Sequence, residues 1–480
     1  MFATIKRIHF VGIGGIGMSG IAEVLFNLGY RISGSDIRRS QITERFASLG
    51  VVVYHEHAAE HVAQADVVVY SSAVKLSNPE IAEAKRRGIP VIRRAEMLGE
   101  LMRMKYGIGV AGTHGKTTTT SMIGATLSQA GLDPTIIVGG RVCGLETNAR
   151  LGEGEYLVAE ADEFDRSFLR MTPTIAVVTT LEAEHLDCYR NLDDIKDAFV
   201  EFVNKVPFYG SAVLCLDEAS VQSIIPRIEK TLITYGITSQ ADVRAHEVAF
   251  EGLRTRFDVT VRGSRLGSIL LPLPGLHNVK NALGTVGVSL ELGIDFDTIR
   301  KALEGFAGVH RRFEVKGEAA GVTIVDDYAH HPTEIQATLT GARAASTGRI
   351  VAVFQPHLFS RTRDFCREFG QSFLNCDMLV VTGIYPAREE PIPGVTGELI
   401  VDAACQFGHR DVRYIPDAAQ IAEQIVHSLR PDDMVITLGA GDIWKVGEEL
   451  LRLLKSTGDS NSSTRASASG DNHAPLENSE

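Results

Sequence analysis

The chain has 480 residues, of which 44% are hydrophobic and 22% are charged. At roughly 150 residues per domain, this length predicts about three domains with buried cores. Lysine and arginine number 48 and aspartate and glutamate number 60, so the formal net charge is −12. This acidic balance argues against a general nucleic-acid binder or a protein held at anionic membranes. The six cysteines form no C-x-x-C pair, which is typical of a protein of the reducing cytoplasm.

Neither end of the sequence resembles a targeting or membrane segment. The first residues run directly into a strand and a glycine loop, without the regions of a signal peptide. No stretch reaches about 18 uninterrupted apolar residues, so we expect a cytoplasmic protein with no stable membrane association. From about Ser456 the sequence is rich in serine, glycine, asparagine and charge. This composition predicts a disordered tail over residues 456–480.

The first predicted domain covers residues 1–104 and alternates strands with helices. A short apolar strand at Ile8–Val11 is followed by helical apolar spacing over Met18–Leu28, which ends at Gly29. Further strands are predicted at Arg31–Ser33, Val51–Tyr54 and Val67–Tyr70. Strands that alternate with helices predict a parallel sheet.

The second domain, residues 105–308, and the third, residues 309–455, repeat this pattern. The second is predicted to have strands at Ile108–Ala111, Tyr156–Ala159 and Ile175–Thr179, a helix over Thr117–Ala130, and antiparallel structure around 240–273. The third is predicted to have strands at Val322–Val325, Ile350–Phe354, Met378–Val381 and Met434–Thr437, and a closing helix over Asp442–Leu454. The predicted fold class is therefore α/β, in three successive units.

The strongest local motif is Gly112-Thr113-His114-Gly115-Lys116-Thr117, which follows a predicted strand. A glycine-rich turn lets backbone N–H groups converge on phosphate oxygens at a helix N-terminus. Lys116 would contact the terminal phosphates, and the Thr117 hydroxyl would reach Mg²⁺. Only two residues separate Gly112 from Gly115, so the motif is not a strict Walker A sequence. A plain strand-to-helix turn is the alternative.

A second glycine motif, Gly12-x-Gly14-x-x-Gly17, also lies between a strand and a helix, and Asp36 follows it. The spacing is that of a dinucleotide-binding fingerprint. The pattern requires only that a phosphate approach a helix start, so a UDP-type ligand satisfies it as well as NAD does. A tight turn without a ligand is the third interpretation.

Acidic residues follow two strands of the second domain. The residues are Glu160, Asp162, Glu163 and Asp165 after the first, and Glu182, Glu184, His185 and Asp187 after the second. Ligands of open α/β sheets lie at the carboxyl ends of strands, and Mg²⁺ prefers oxygen donors. Glu160 and His185 are the stronger candidates, although any one of these carboxylates could be a solvated surface group.

Three motifs of the third domain carry further candidates. They are Arg311-Arg312-Phe313 at the domain boundary, Asp326-Asp327-Tyr328-Ala329-His330-His331-Pro332, and Gln355-Pro356-His357-Leu358-Phe359-Ser360-Arg361. Paired arginines can supply charge to a phosphoryl group, and Arg361 could bind a carboxylate in a bidentate manner. The respective alternatives are a solvated hinge, a capping loop or an adventitious metal site, and a surface turn.

Together these motifs resemble the Mur ligase family over roughly residues 6–455, in both order and spacing. The matching elements are VGIGGIGMSGIAEVL, SGSD, YSSAV, GTHGKTTTT, AEADEFDRSF, LPGLHNVKNALG, RRFE, DDYAHHPTE, FQPHLFSRTRD and LGAGDIW. The GIGGIGMSG and DYAHHP elements favour the branch of the family that adds L-alanine.

The resemblance implies three domains: a Rossmann-like UDP-substrate domain, a central P-loop ATPase-like α/β domain and a Rossmann-like C-terminal domain. It also implies ATP, UDP-N-acetylmuramate and L-alanine as substrates, Mg²⁺ as cofactor and no nucleic-acid partner. The reaction would form UDP-N-acetylmuramoyl-L-alanine, ADP and phosphate in peptidoglycan precursor synthesis.

Site residues implied by the resemblance fall into four groups. ATP binding is assigned to Gly112, Thr113, His114, Gly115, Lys116, Thr117, Thr118, Asn278 and Asn281 (both near adenine), Arg312 (at the γ-phosphate) and Asp327 (at the ribose). The UDP substrate is assigned to Gly14, Gly15, Gly17, Asp36 and Ser71. The amino acid is assigned to His330, His357 and Arg361. Mg²⁺ is assigned to Thr117, Glu160 and His185, and catalysis to Lys116, His185 and Arg312.

The sequence departs from the family pattern at four places. They are Phe164 for a common serine, Thr179-Thr180 for a common Thr-Asn, Glu184 for a common aspartate, and Leu358 where several relatives carry arginine. The last change places more of the predicted carboxylate binding on Arg361.

Overall fold

A computed structural model of the chain describes residues 5–71, 73–140, 148–184, 188–387 and 389–467. The chain divides into two compact units, Met1–His310 and Arg311–Glu480. The first unit contains two sheets and the second contains one. Within the described ranges, no helix is long and apolar enough to cross a membrane.

The first sheet of the first unit is the scaffold of the first glycine motif. Its elements are β1 Arg7–Val11, α1 Ile16–Asn27, β2 Arg31–Ser35, α2 Gln41–Ser48, β3 Val52–Tyr54, β4 Val67–Tyr70, α3 Pro79–Arg86, β5 Val91–Arg93 and α4 Arg94–Arg103. The strand order is β3-β2-β1-β4-β5, and all neighbours are parallel. The order reverses at β1, so the loop after β1 opens into the crevice where such sheets bind ligands.

The second sheet is larger. Its elements are β6 Tyr106–Ala111, α5 Lys116–Gln129, β7 Thr135–Ile137, β8 Ala149–Arg150, β9 Tyr156–Glu160, β10 Ile175–Val178, α6 Leu192–Asn204, β11 Ser211–Cys215, α7 Ala219–Ile224, β12 Thr231–Gly236, β13 Val243–Glu251, β14 Arg254–Val261, β15 Ser264–Leu271, α8 Leu276–Glu291 and α9 Phe296–Glu304. The strand order is β15-β14-β13-β12-β11-β10-β6-β9-β7-β8. β6 lies between β9 and β10, parallel to both, and carries the second glycine motif at its carboxyl end.

Both sheets of the first unit owe their stability to nearly continuous apolar strands. Phe10, Val110 and Val177 are fully buried, as expected of parallel strands that are covered on both faces. β13, β14 and β15 are paired antiparallel and alternate buried with exposed residues, because one face of this extension meets solvent. The predicted antiparallel region around 240–273 is therefore confirmed.

The second unit has one six-stranded sheet. Its elements are β16 Glu314–Ala319, β17 Val322–Asp327, α10 Pro332–Ala345, β18 Ile350–Phe354, α11 Phe359–Asp364, α12 Cys366–Ser372, β19 Met378–Val381, α13 Glu398–Gln406, β20 Val412–Tyr414, α14 Ile421–Ile425, β21 Met434–Leu438 and α15 Trp444–Ser467. The order is β16-β17-β21-β18-β19-β20, with only β16 antiparallel to its neighbour. β21 therefore separates β17 from β18, which brings the motifs after these two strands to one edge of the sheet.

The predicted α/β architecture is confirmed, with one difference at the end of the chain. We expected the closing helix to end at Leu454 and a disordered tail to begin at residue 456. The structure instead continues α15 through Ser467. Helical hydrogen bonds propagate cooperatively from a packed first part, and Leu450 and Leu454 are buried. The rest of the predicted tail, 468–480, lies outside the described residues.

Candidate active site

The loop after β6 has the backbone of a phosphate-binding turn. Gly112 and Gly115 have φ values of +135° and +83°, and Gly115 caps α5. A side-chain carbon at Gly112 would lie 2.1 Å from Thr179 Oγ1, and one at Gly115 would lie 2.5 Å from Asn281 Oδ1. Only glycine fits these two positions, so the loop can approach an anion at the N-terminus of α5. Thr118 is buried in the first turn of this helix.

The segment after β10 holds this loop in place. Thr113 N–H donates to Thr180 O over 2.9 Å, and His114 N–H donates to Thr180 Oγ1 over 2.9 Å. Glu182 N–H in turn donates to Thr113 Oγ1 over 2.9 Å. The hydroxyl and the main-chain oxygen of Thr180 thus hold this loop.

Lys116 points back into its own loop. Its Nζ donates to Gly112 O and, over 3.2 Å, to Thr113 O. It also lies 3.0 Å from both carboxylate oxygens of Glu163. Glu163 is almost completely buried, and burial raises the pKa of its carboxyl to about 7, although the charge of Lys116 acts against this shift. A buried ion pair therefore lies at the centre of the predicted phosphate site.

Two of the predicted metal ligands, Thr117 and Glu160, lie against the same short segment, Gly139 and Gly140. A side-chain carbon added at Gly139 would lie 3.0 Å from Glu160 Oε2, and one at Gly140 would lie 3.0 Å from Thr117 Cγ2. Two adjacent residues thus contact both side chains, and Gly139 N–H donates to Glu160 Oε1 over 2.6 Å. A hydroxyl and a carboxylate next to a phosphate loop are the oxygen donors that suit Mg²⁺. The third predicted ligand, His185, lies outside the described residues.

Asn278 and Asn281 are buried at the start of α8. Asn281 Oδ1 accepts from Thr119 Oγ1 over 3.2 Å and faces Gly115, so this side chain supports the phosphate loop. Asn278 Nδ2 donates to Pro274 O over 2.8 Å, which anchors the turn before α8. Their predicted proximity to adenine stays a prediction.

The first glycine loop is built without a lysine. Gly12 has a φ of +86°, and Gly15 is the N-cap of α1. Gly14 N–H donates to Asp36 Oδ2 over 3.0 Å, and a side-chain carbon at Gly14 would lie 2.8 Å from that same oxygen. Ser71 Cβ lies 3.3 Å from the position of a side-chain carbon at Gly12. Asp36 and Ser71 thus lie against this glycine loop at the switch point of the first sheet.

A cavity of about 370 Å³ opens beside this loop. The residues that line it include Gly12, Gly15, Asp36, His57 and Ser71. Pockets of this size and shape hold small ligands, and polar groups at fixed positions orient them. The cavity lies where the sequence predicts the UDP substrate.

A buried histidine cluster supports one wall of this cavity. Both oxygens of the fully buried Glu80 accept hydrogen bonds: Oε1 from His61 over 2.9 Å and from His9 over 3.2 Å, Oε2 from His57 over 2.8 Å and from Ser35 Oγ over 2.7 Å. Burial acts to raise the pKa of Glu80, but the bonds from His9 and Ser35 outweigh it and lower the pKa to about 2. The cluster fixes the ring of His57, which reaches the cavity.

Arg94 and Glu163 lie against the two glycine loops, although the sequence motifs do not favour either residue. Arg94 Nη1 lies 3.0 Å from a side-chain carbon built at Gly17, at the start of α1, and the guanidinium lies 3.7 Å from Asp162. Neither residue belongs to a glycine motif. Glu163 lies three residues beyond the end of β9, within the acidic segment Glu160–Asp165 that the sequence analysis considered as a group.

In the second unit, the two boundary arginines differ in their surroundings. Arg311 donates to Asp326 Oδ2 over 3.0 Å and to the main-chain oxygen of Gly441 over 3.0 Å. Arg312 lies over the ring of Tyr328, 5.3 Å from its centroid, and 3.6 Å from Glu334. Arg311 therefore ties the boundary segment to the sheet, whereas the guanidinium of Arg312 lies at the loop after β17.

Asp327 ends β17 and is buried. Its Oδ2 accepts from Phe313 N–H over 2.8 Å and its Oδ1 from Ala329 N–H over 2.7 Å. Burial raises the pKa of Asp327 to about 6, although the charge of Arg312 acts against the shift. Asp327 thus fixes the loop that leads to His330, and its role at the ribose stays a prediction.

The predicted amino-acid residues lie at neighbouring positions of the same sheet edge. The rings of His330 and His357 meet edge to face with centroids 5.6 Å apart, and His357 stacks on Tyr385. Leu358 has a φ of +72°, a strained conformation for a branched side chain, at the start of α11. In this helix, Arg361 Nη1 is buried without a hydrogen-bond partner among the described residues. A buried unpaired guanidinium nitrogen indicates a binding position for an anionic group.

Three family models match the chain in succession. A model of the Mur ligase family, catalytic domain, matches residues 7–106; one of the Mur ligase middle domain matches 110–289; and one of the Mur ligase, glutamate ligase domain, matches 311–441. The chain therefore belongs to the Mur ligase family, whose members are ATP-dependent ligases.

Curated relatives extend this result over nearly the full length. The UDP-N-acetylmuramate–L-alanine ligase of Geobacter sp. (strain M21) is 56% identical over 461 residues, which are 96% of this chain and 100% of the relative. The enzyme of the same name from Salinibacter ruber is 55% identical, with 95% and 96% of the two chains covered.

Solved structures share the fold. The crystal structure of UDP-N-acetylmuramate-alanine ligase MurC from Thermotoga maritima superimposes with a TM-score of 0.80 at 29% identity, covering 94% of this chain and 99% of that chain. A murein peptide ligase from Psychrobacter arcticus gives a TM-score of 0.67 at 25% identity, with the same coverage.

Proposed function

We propose that this chain ligates L-alanine to the lactyl carboxylate of UDP-N-acetylmuramate with ATP, forming ADP, phosphate and UDP-N-acetylmuramoyl-L-alanine. The observation that carries the proposal is a phosphate loop with an internal lysine in a chain more than half identical to ligases of that name. The product would be an early precursor of peptidoglycan.

The chemistry requires activation of the carboxylate. A carboxylate and an amine form only a salt near neutral pH, whereas an acyl phosphate offers the amine a good leaving group. Transfer of the γ-phosphoryl group to the lactyl carboxylate gives this intermediate, and attack by the alanine amine then releases phosphate. The protein's contribution is to position the reactants and to neutralise charge at phosphorus.

The first unit would bind both nucleotides. The N–H groups of Gly112–Thr117 and the Lys116 ammonium would hold the ATP phosphates, and the Gly12–Gly17 loop would hold the UDP diphosphate. Thr117 and Glu160, with His185 by resemblance, would hold Mg²⁺, which neutralises phosphate charge when bound. The oxygen donors of Thr117 and Glu160 support this choice of ion.

The remaining assigned residues belong to the second unit. We assign Arg312 to the γ-phosphoryl group, Asp327 to the ribose and Arg361, with His330 and His357, to the amino acid. The buried, unpaired Nη1 of Arg361 supports the last assignment, because a carboxylate would satisfy it.

One experiment tests the proposal against its alternatives. Phosphate release is measured with UDP-N-acetylmuramate, ATP and Mg²⁺ across a panel of amino acids and a tripeptide, with NADH oxidation measured in parallel. We expect release with L-alanine and no hydride transfer. Preference for the tripeptide would indicate a murein peptide ligase, ATP binding without release a regulator, and hydride transfer an oxidoreductase.

Arg361→Ala tests the amino-acid site. We expect the KM for L-alanine to rise by about tenfold or more, while the KM for ATP changes little, because one charged hydrogen bond to the carboxylate is lost. Arg363→Ala is the matched control, since Arg363 is exposed and pairs with its neighbour Asp364. Equal effects on both KM values would contradict the assignment.

A further inference from the structure

We propose that Glu163 is an internal stand-in for a phosphate group, which holds Lys116 in its loop and which ATP displaces on binding. The inference rests on the proposed function, because it takes Gly112–Thr117 as the site of the ATP phosphates. It assigns Glu163 as a positioning residue that acts through Lys116.

The hydrogen bonds of Lys116 leave no room for an additional acceptor. The ammonium has three protons, and four oxygens lie within hydrogen-bond reach: Gly112 O, Thr113 O and the two carboxylate oxygens of Glu163. A phosphate oxygen can bind Nζ only if one of these acceptors is displaced. Phosphate and carboxylate therefore compete for the same protons.

The two carbonyl groups cannot be the ones that move. Gly112 O shares its peptide group with Thr113 N–H, which donates to Thr180 O, and Thr113 O shares its peptide group with His114 N–H, which donates to Thr180 Oγ1. Glu163, in contrast, lies in an irregular segment between β9 and a 3₁₀ turn at Ser167–Arg170, and only its side chain has to rotate. The carboxylate is thus the acceptor that yields to a phosphate group.

The burial of Glu163 gives its displacement by phosphate a free-energy cost. The residue is only 3% exposed, and a buried carboxylate that loses its cation is strongly destabilised. Burial already raises the pKa of Glu163 to about 7, so the displaced carboxyl is accessible in its neutral form. The pair therefore keeps Lys116 charged and oriented, at the expense of nucleotide affinity.

A purely structural role for Glu163 predicts the opposite change in ATP affinity. If Glu163 stayed on Lys116 together with the phosphates, its charge would help to hold the lysine, and removing the charge would weaken ATP binding. If ATP displaces Glu163, removing the charge eliminates a competitor and strengthens ATP binding. The sign of the change in affinity distinguishes the two.

The test uses the full chain with Glu163→Gln and measures affinities by calorimetry in the presence of Mg²⁺. We expect ATP and ADP to bind about tenfold more tightly than to the wild type, and the KM for ATP to fall with it. Adenosine should bind with unchanged affinity, because it brings no phosphate to compete with Glu163. A rearranged loop would not separate adenosine from ATP in this way.

Asp194→Asn is the matched control, because Asp194 is also a buried carboxylate, paired with Arg166 and remote in sequence from the phosphate loop. It should leave all three affinities unchanged. If Glu163→Gln does not fold, Glu163→Asp loosens the ion pair but keeps the charge, and we expect a gain of about two- to threefold. Weaker or unchanged ATP binding in the folded variant overturns the proposal. A wild-type chain that binds no ATP would instead contradict the proposed function.

Discussion

The two glycine loops of the first unit have the same position between a strand and a helix, but they differ in their charged side chains. Each follows a buried parallel strand at a point where the strand order reverses, and each leads into a helix N-terminus. The Gly12–Gly17 loop contains no basic residue, and Asp36 accepts a hydrogen bond from the N–H of Gly14. The Gly112–Thr117 loop contains Lys116, which is neutralised by Glu163. The helix N-terminus and its backbone N–H groups are thus common to both loops, and the second loop adds a lysine and its counter-ion.

A buried glutamate lies near each loop, and the two environments shift the pKa in opposite directions. Glu80 accepts hydrogen bonds from three histidines and a serine, whereas Glu163 faces the Lys116 ammonium in a largely desolvated setting. Similar burial therefore produces a permanent charge at one site and an exchangeable one at the other.

The largest expected effect comes from removing the lysine of the Gly112–Thr117 loop. Lys116→Ala should lower phosphate release on the order of 10²- to 10³-fold, because the main positive charge at the transferred group is lost. Binding of UDP-N-acetylmuramate, measured by calorimetry, should stay within about twofold of the wild type. Lys105→Ala is the control, since Lys105 donates only to the main chain at Gly152 and Gly154. Near-normal release by the Lys116 variant would contradict the phosphate-loop assignment.

Glycine-to-alanine substitutions test how tightly each loop is packed, through their effect on the free energy of unfolding. Gly112→Ala should destabilise the protein by about 2–5 kcal/mol, because it combines an unfavourable φ with a contact of 2.1 Å to Thr179. Gly12→Ala should cost about 1–2 kcal/mol, because its closest neighbour, Ser71, lies 3.3 Å away. Chemical unfolding followed by circular dichroism checks the order, and a reversed order would show that the first loop is the more tightly packed.

The first loop is tested by removing its carboxylate support. Asp36→Ala frees the N–H of Gly14, so we expect binding of UDP-N-acetylmuramate to weaken by about five- to tenfold with ATP binding unchanged. Asp36→Asn retains an acceptor and should bind nearly as well as the wild type. Equal losses in both variants would mean that the charge of Asp36 matters rather than its bond to the loop.

The smallest expected effect is a pair of opposite pH dependences. The pKa of Glu80 is lowered to about 2 in the folded protein, so its stabilisation is complete above its unfolded pKa near 4.5 and is lost as the pH falls towards 2. The pKa of Glu163 is raised to about 7, so its contribution is favourable below pH 4.5 and is lost as the pH rises through 7.

Melting temperatures of wild type, Glu80→Gln and Glu163→Gln from pH 2 to 8 measure these trends. The deficit of Glu80→Gln should shrink in acid, and Glu163→Gln should gain relative to the wild type as the pH rises to 8, each by a few degrees. Parallel curves for the three proteins would show that the two buried glutamates do not differ.

The local parts of the site could be predicted from the sequence. The strand, turn and helix around each glycine motif were placed to within about two residues, because apolar runs and glycines are local signals. Pro332 begins α10, where the fixed φ of proline suits the first turn of a helix.

The partners within the site could not be predicted. Glu163 reaches Lys116 across 47 positions of sequence, and Asn281 reaches Gly115 through the packing of α8 on α5. Such pairs depend on sheet order, which a single sequence does not specify. The extent of α15 was also missed, because its polar last part resembles a disordered segment in composition.

The reversal of strand order occurs in all three sheets, and in each the candidate residues follow the central strands. Such residues sit on loops that leave in opposite directions, so they contribute little to the packing of the strands beneath them. Side-chain changes in these loops can therefore alter what binds there while the strands beneath keep their pairing.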